Sequence, residues 1–177
     1  MGSSTGRAVG EVAPEFTAPL VRADGTTDDV SLSSLLADRP VLLSFYTADF
    51  SPDCVDEWCA FRDFDWFSTG ETVQVVGISK SGVALHRRFI RHLNLGFPLY
   101  ADPDLDVAEA FGVDYRAFGV SRRARRSCFL IDEDRTIRYR WLGEHWLDPT
   151  RDTPPVGEIH EAIRQELGHD DPNRFGF

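Results

Sequence analysis

The sequence predicts a three-layer α/β domain with a mixed central sheet and an N-terminal β-hairpin, and three observations carry the prediction. Residues 41–46 (VLLSFY) and 72–79 (TVQVVGIS) are short, nearly continuous apolar runs, the mark of strands buried on both faces as in a parallel sheet. Helical patterns follow each run, so strands and helices alternate along the chain. Late in the sequence, SCFLI and TIRYRWLG flank the four-residue turn DEDR, an antiparallel hairpin pattern. A length of 177 residues suits one domain with a core of its own.

The elements follow in order. Residues 1–8 read as a flexible N-terminus, 9–168 as the domain and 169–177 as a C-terminal tail. EFTAPLVRADGTTDDVSL reads as two short strands around a turn at Asp24-Gly25. Residues 33–38 predict a short helix that Pro40 ends, and the strand 41–46 follows. A helix is expected from about Pro52, with Ser51 as its N-cap and proline at its first position. After the strand 72–79, VALHRRFIRHL is helical, with Leu85, Phe89 and Leu93 recurring at spacing four. Arg87, Arg88 and Arg91 then face outward, and His86 and His92 decorate the solvated side. DVAEAFGV predicts a short helix with Asp106 as cap and Gly112 as stop. Beyond the hairpin, Pro154 and Pro155 open a last helix that Gly168 closes. The tail HDDPNRFGF reads as mobile, with Phe175 and Phe177 as candidate anchors to a neighbour. In such sheets the site lies beyond the carboxyl ends of the parallel strands, which points to the segment after residue 46.

Composition excludes several function classes. No apolar run approaches the roughly 20 residues that a membrane helix needs. The first residues, MGSSTGRAVGEV, lack the apolar stretch of a signal peptide. The expected compartment is the cytoplasm, where thiols stay reduced and a close cysteine pair reads as catalytic or metal-binding. Net charge is −10, made of 19 Asp, 10 Glu, 18 Arg and the single lysine Lys80. That Asp-rich, Lys-poor balance is expected of a halophilic protein working in molar salt, where the Debye length is about 3 Å and carboxylate repulsion is screened. Nucleic acid is not an expected partner, because phosphate binding needs basic patches. The one basic run, residues 122–126, puts Arg122, Arg123 and Arg125 as solvated partners of the abundant carboxylates.

The chemistry concentrates in FYTADFSPDCVDEWCAFRD, which holds two of the three cysteines, Cys54 and Cys59, with four residues between them. Cys54 would lie in the first turn of its helix, where unpaired N–H groups and the helix dipole stabilise a thiolate. Asp49, Asp53, Asp56 and Glu57 oppose a further negative charge, so a reactive Cys54 needs a cation brought in by the fold. With one lysine in the chain that cation is an arginine, Arg126 or Arg62. Zinc is disfavoured, since its sites use closer cysteine pairs with further ligands and the five histidines form no matching cluster. His145, in GEHWLD, reads as a loop hydrogen-bonder, and the four tryptophans read as core or interface residues.

This segment resembles the active-site segment of the peroxiredoxins, the alkyl hydroperoxide reductase/thiol-specific antioxidant family, and is most similar to the bacterioferritin-comigratory type. The resemblance continues through VGEVAPEFTAPL, VVGIS, FPLYADPD, AFGV and RSCFLIDEDRTIRYRW, over residues 9–141. It implies a thioredoxin-like fold and a thiol peroxidase without metal or prosthetic group. It implies Cys54 as the peroxidatic cysteine, Cys59 as the resolving one and Arg126 as the catalytic arginine. Glu57 matches the glutamate that holds that arginine, and Ser51 matches the active-site threonine. The implied partners are a hydroperoxide and a thioredoxin-like dithiol, with the chain a monomer or homodimer.

Three features depart from the family pattern. Thr47 stands where the family has proline, which adds a hydroxyl and loosens the loop. Ser51 keeps the threonine hydroxyl and loses a methyl. Cys128 lies two residues after Arg126, on the same face if both are in the strand. If Cys59 resolves Cys54, the helix must open: five residues of helix rise about 7.5 Å, and a disulfide needs Cα atoms within about 7 Å. Two rival readings share the fold class. A thiol-disulfide reductase would use Cys-x-x-Cys and a proline before the late strand, where this chain has RRSCFL. A redox sensor without turnover would react slowly with peroxide, and Thr47 is the feature that favours it.

Overall fold

The computed structural model describes residues 6–50, 52–64, 72–117, 121–143 and 154–168. Ser51, Trp66, His145, Trp146 and the tail with Phe175 and Phe177 lie outside them. The elements run β1 (Thr17–Val21), β2 (Thr27–Ser31), α1 (Leu32–Leu36), β3 (Val41–Phe45), α2 (Pro52–Asp63), β4 (Gln74–Ser79) and α3 (Val83–Leu93). They continue with β5 (Leu99–Ala101), α4 (Asp106–Ala110), β6 (Asp114–Ala117), β7 (Ser121–Ala124), β8 (Ser127–Ile131), β9 (Ile137–Leu142) and α5 (Val156–Gly168).

Seven strands form one mixed sheet in the order β2-β1-β5-β4-β3-β8-β9, while β6 and β7 pair separately. The centre is parallel, β3 with β4 and β4 with β5. The flanks are antiparallel: β1 with β2 and β5, β8 with β3 and β9. The strand alternation splits the core in two. Leu43, Phe45, Val76, Ile78, Phe129 and Ile131 pack with Phe111 on one face. Leu42, Tyr46, Val75, Cys128 and Leu130 pack on the other with Trp58 and Phe61 of α2, Phe89 of α3 and Ile159 of α5. Helix α2 lies close on β4: a Cβ at Gly77 would sit 2.5 Å from Cζ2 of Trp58, so only glycine fits there.

The predicted elements are present, with local corrections. The first hairpin turns at Asp24-Gly25, with Gly25 at φ 87° and Asp24 accepting from the Thr26 N–H. Helix α1 begins one residue early, because Ser31 caps it by accepting from the Ser34 N–H. Asp106 does not cap α4. Asp102 does that work, accepting from the N–H groups of Val107 and Ala108 at 3.1 and 3.0 Å. Gly112 ends α4 at φ 73° as expected. Strand β5 and the β6–β7 hairpin were not expected, since three residues or an Arg-rich edge give little period-2 signal. The largest correction concerns α3. Its buried stripe is His86, Phe89, Ile90 and Leu93, so His86 faces the interior rather than solvent. No helix among the described residues is long and apolar enough to cross a membrane.

Candidate active site

Helix α2 starts at Pro52, so Cys54 sits in its first turn, beyond the carboxyl end of β3. Its side chain is fully buried. Arg126, placed just before β8, reaches across the sheet end and donates from Nη2 to Cys54 Sγ at 3.0 Å. Its Nη1 donates to Glu57 Oε2 at 2.8 Å. Glu57 follows Cys54 by one helical turn, which puts both on one face of α2 and lets one guanidinium bridge them. The other carboxyl oxygen of Glu57 accepts from Ser44 Oγ at 2.9 Å. Of the two candidate cations, then, Arg126 meets the thiol. Arg62 turns to Asp63 and to the carbonyl of Leu93.

The electrostatics follow from burial. Arg126 and Glu57 are each about 1% exposed, an ion pair almost wholly removed from water. Burial pushes the Glu57 carboxyl up to about 7, against the opposing pull of Arg126 and the Ser44 hydroxyl. Cys128 is buried beside this chain of groups, its Sγ 3.3 Å from Ser44 Oγ. Burial and then the charge of Glu57 push its thiol far up, so it stays protonated. Cys54 differs from it by facing a guanidinium, and a charge-assisted N–H bond favours a thiolate.

Cys59 is half-buried on α2 and packs against the second core cluster. Five residues turn a helix by about 140° and separate the Cα atoms by about 8.7 Å, so the two sulfurs point apart. Cys54, Cys59 and Cys128 form no disulfide with one another. Thr47 lies half-buried in the loop after β3, and its Oγ1 is enclosed without a hydrogen-bond partner among the described residues. Ser51, expected as cap and hydroxyl donor, lies outside those residues. Arg122 pairs with Asp114 and Glu109, as the carboxylate-rich sequence led one to expect.

Sequence reasoning missed Ser44 and the surroundings of His86. Ser44 interrupts an otherwise apolar buried strand, which was a signal of a buried polar role. His86 shares the i, i+3, i+4, i+7 stripe with Phe89, Ile90 and Leu93, which signalled burial. It lies against Asp49, with Nδ1 2.7 Å from Oδ2. Burial and the nearby Asp49 hold the Tyr46 phenol well above its ordinary value, so Tyr46 donates to Asp49.

Comparison with known proteins gives the same direction. The family model described as AhpC/TSA matches residues 9–140. A Coxiella burnetii protein that carries the name peroxiredoxin bcp is 40% identical over 139 residues, covering 75% of this chain and 87% of that one. The chloroplastic peroxiredoxin Q of Triticum aestivum is 35% identical over 130 residues, covering 73% of this chain and 57% of that one. Among solved structures, peroxidoxin BcpB from Mycobacterium tuberculosis superposes with a TM-score of 0.72 at 28% identity, covering 92% of this chain and 98% of that one.

Proposed function

This chain belongs to the AhpC/TSA family and is a thiol peroxidase of the peroxiredoxin kind, and on that premise we propose that Cys54 reduces hydroperoxides and Cys59 resolves the product. The observation that carries the assignment is the Arg126 guanidinium on Cys54 Sγ at 3.0 Å. In the first step the Cys54 thiolate attacks one peroxide oxygen in line. The S–O bond forms as the O–O bond breaks, sulfur loses two electrons, and the second oxygen leaves as alkoxide or hydroxide and takes up a proton. Arg126 stabilises the charge that develops on the peroxide, as a preorganised cation in a site closed to water. Glu57 and Ser44 hold the guanidinium in that orientation. Thr47 and Ser51 are assigned to the site by their place in the family pattern.

In the second step the Cys59 thiolate attacks the sulfenic sulfur of Cys54. The S–S bond forms, the S–O bond breaks, and hydroxide leaves as water after protonation. Because the helical separation of about 8.7 Å exceeds disulfide reach, the first turns of α2 must open for this step. A thioredoxin-like dithiol then returns both thiols. The cytoplasm, where such dithiols are kept reduced, is the compartment that fits, and the acidic Lys-poor composition fits high salt. Hydrogen peroxide and small organic hydroperoxides are the substrate class, and the chain works as a monomer or homodimer.

Stopped-flow tryptophan fluorescence of the reduced protein tests the assignment. Trp58, on α2 itself, packs in the core and reports on the opening of that helix. In molar KCl a fast phase should scale with peroxide and vanish in Cys54→Ser. A phase no faster than that of a free thiol would remove Cys54 from the peroxidatic role and favour the sensor reading.

A further inference from the structure

A second polar network is buried next to the first and takes no part in the chemistry above. Asp49, in the loop between β3 and α2, accepts from Tyr46 Oη at 2.5 Å through Oδ1. Its Oδ2 lies 2.7 Å from His86 Nδ1, and its backbone N–H donates to Ser81 Oγ at 2.9 Å. His86 Nε2 lies 2.9 Å from the carbonyl of Tyr100. Tyr46 and His86 are 0% exposed, Asp49 6% and Ser81 7%, so the network is almost wholly removed from water.

The partners fix where the hydrogens are. A carbonyl only accepts, so Nε2 carries a hydrogen toward Tyr100. One further proton lies between Nδ1 and Oδ2. Whichever atom holds it, Asp49 and His86 together are neutral, which is what makes their burial tolerable. The network ties the loop to the end of β3 through Tyr46, to the turn before α3 through Ser81, to α3 through His86, and through it to β5. The residue after Asp49 needs such a hold. Phe50 sits at φ 64°, a left-handed conformation that a bulky side chain adopts only when its surroundings impose it. Phe50 packs edge-on against Phe89 and tilted against His92, and is 40% exposed.

We propose that Asp49 and His86 are positioning residues, a latch that holds the loop leading into Cys54 so that the thiol stays on Arg126 for attack on peroxide. This rests on the peroxidatic reading of Cys54. The latch serves the first step and not the second. Attack on peroxide needs the Cys54 turn folded against Arg126, whereas disulfide formation needs that same turn to leave. Releasing the latch therefore slows the first step and leaves the second as fast or faster, because local opening becomes easier. A general loss of structure would instead depress both.

The test uses full-length protein and hydrogen peroxide, resolving the oxidation phase from the disulfide phase by tryptophan fluorescence. Asp49→Ala should slow oxidation by about tenfold or more, the scale for a misplaced reacting group, without slowing the disulfide phase. Asp49→Asn should recover most of that rate: its carbonyl accepts from Tyr46 and its amide donates to Nδ1, with Nε2–H still on Tyr100. Tyr46→Phe removes one bond of the latch and should slow oxidation about fivefold. It serves if Asp49→Ala does not fold. Both phases slowing alike, an oxidation phase in Tyr46→Phe and Asp49→Ala equal to that of the parent, or Asp49→Asn as slow as Asp49→Ala overturns the latch. If the unmutated protein itself shows no Cys54-dependent fast phase, the peroxidatic reading fails first, and the latch with it.

Discussion

Replacing Arg126 by methionine separates what the arginine does for catalysis from what it does for stability. Methionine fills most of the volume and keeps the site dry. The variant loses the Nη2 donor on Cys54 Sγ and the Nη1 donor on Glu57. Loss of one preorganised charge-stabilising group costs about 10²–10³ in rate, so the peroxide-dependent phase should slow by that factor. The stability cost is smaller than the pair suggests. Removing one partner of a buried ion pair costs about 3–5 kcal/mol when an uncompensated charge stays behind. Here Glu57 is already held at about 7 beside Arg126, and without the guanidinium it protonates and keeps its place beside Ser44. The expected loss at pH 7 is then about 2 kcal/mol or less, the scale of lost hydrogen bonds. Adding Glu57→Gln to Arg126→Met should recover stability and leave the rate low. The assays are the second-order rate constant by stopped flow and urea unfolding at pH 7. A rate within threefold of the parent would remove Arg126 from the peroxide site. Recovery of the rate in the double variant would show that Glu57, not the lost cation, was the obstacle.

Glu57→Gln alone predicts a pH effect with a definite sign. The folded carboxyl titrates near 7 against an ordinary value of 4.5, so its contribution to stability is full below about 4.5 and is lost as pH rises through about 7. The variant should lack that loss, at most about 3 kcal/mol, as read from urea midpoints between pH 4.5 and 8; parallel curves for the two proteins would contradict it. Cys59→Ser should leave the oxidation phase intact and abolish the disulfide phase, with sulfenic acid at Cys54 trapped by a dimedone-type reagent; a normal disulfide phase would assign resolution elsewhere. Gly77→Ala should destabilise by about 1–3 kcal/mol, because its methyl would lie within 2.5–2.8 Å of Trp58 and Leu99 carbons. Thr47→Val should raise thermal stability by about 1 kcal/mol, since it removes an enclosed hydroxyl that has no partner among the described residues; a loss of stability would show that the hydroxyl is bonded in solution.

The sequence by itself determined most of the elements and singled out Cys54 as the candidate reactive thiol. Apolar runs set β3 and β4, the DEDR turn set the β8–β9 hairpin, and the proline that opens α2 put Cys54 in a first helical turn, since each signal lies within a few residues of chain. The need for an arginine was legible too, because a single lysine and a surplus of carboxylates left no other cation. Which arginine meets the thiol was decided by the fold: Arg126 reaches Cys54 across 72 residues because β8 pairs with β3 in the register that sets Cys128 opposite Ser44. The same register aims Ser44 at Glu57. His86 and Asp49, 37 residues apart, became partners through the packing of α3 against the sheet, which inverted the surface reading of His86. Periodicity along a chain tells which face of a helix is apolar, but a polar residue on that face is placed only when the opposing element supplies its hydrogen bonds.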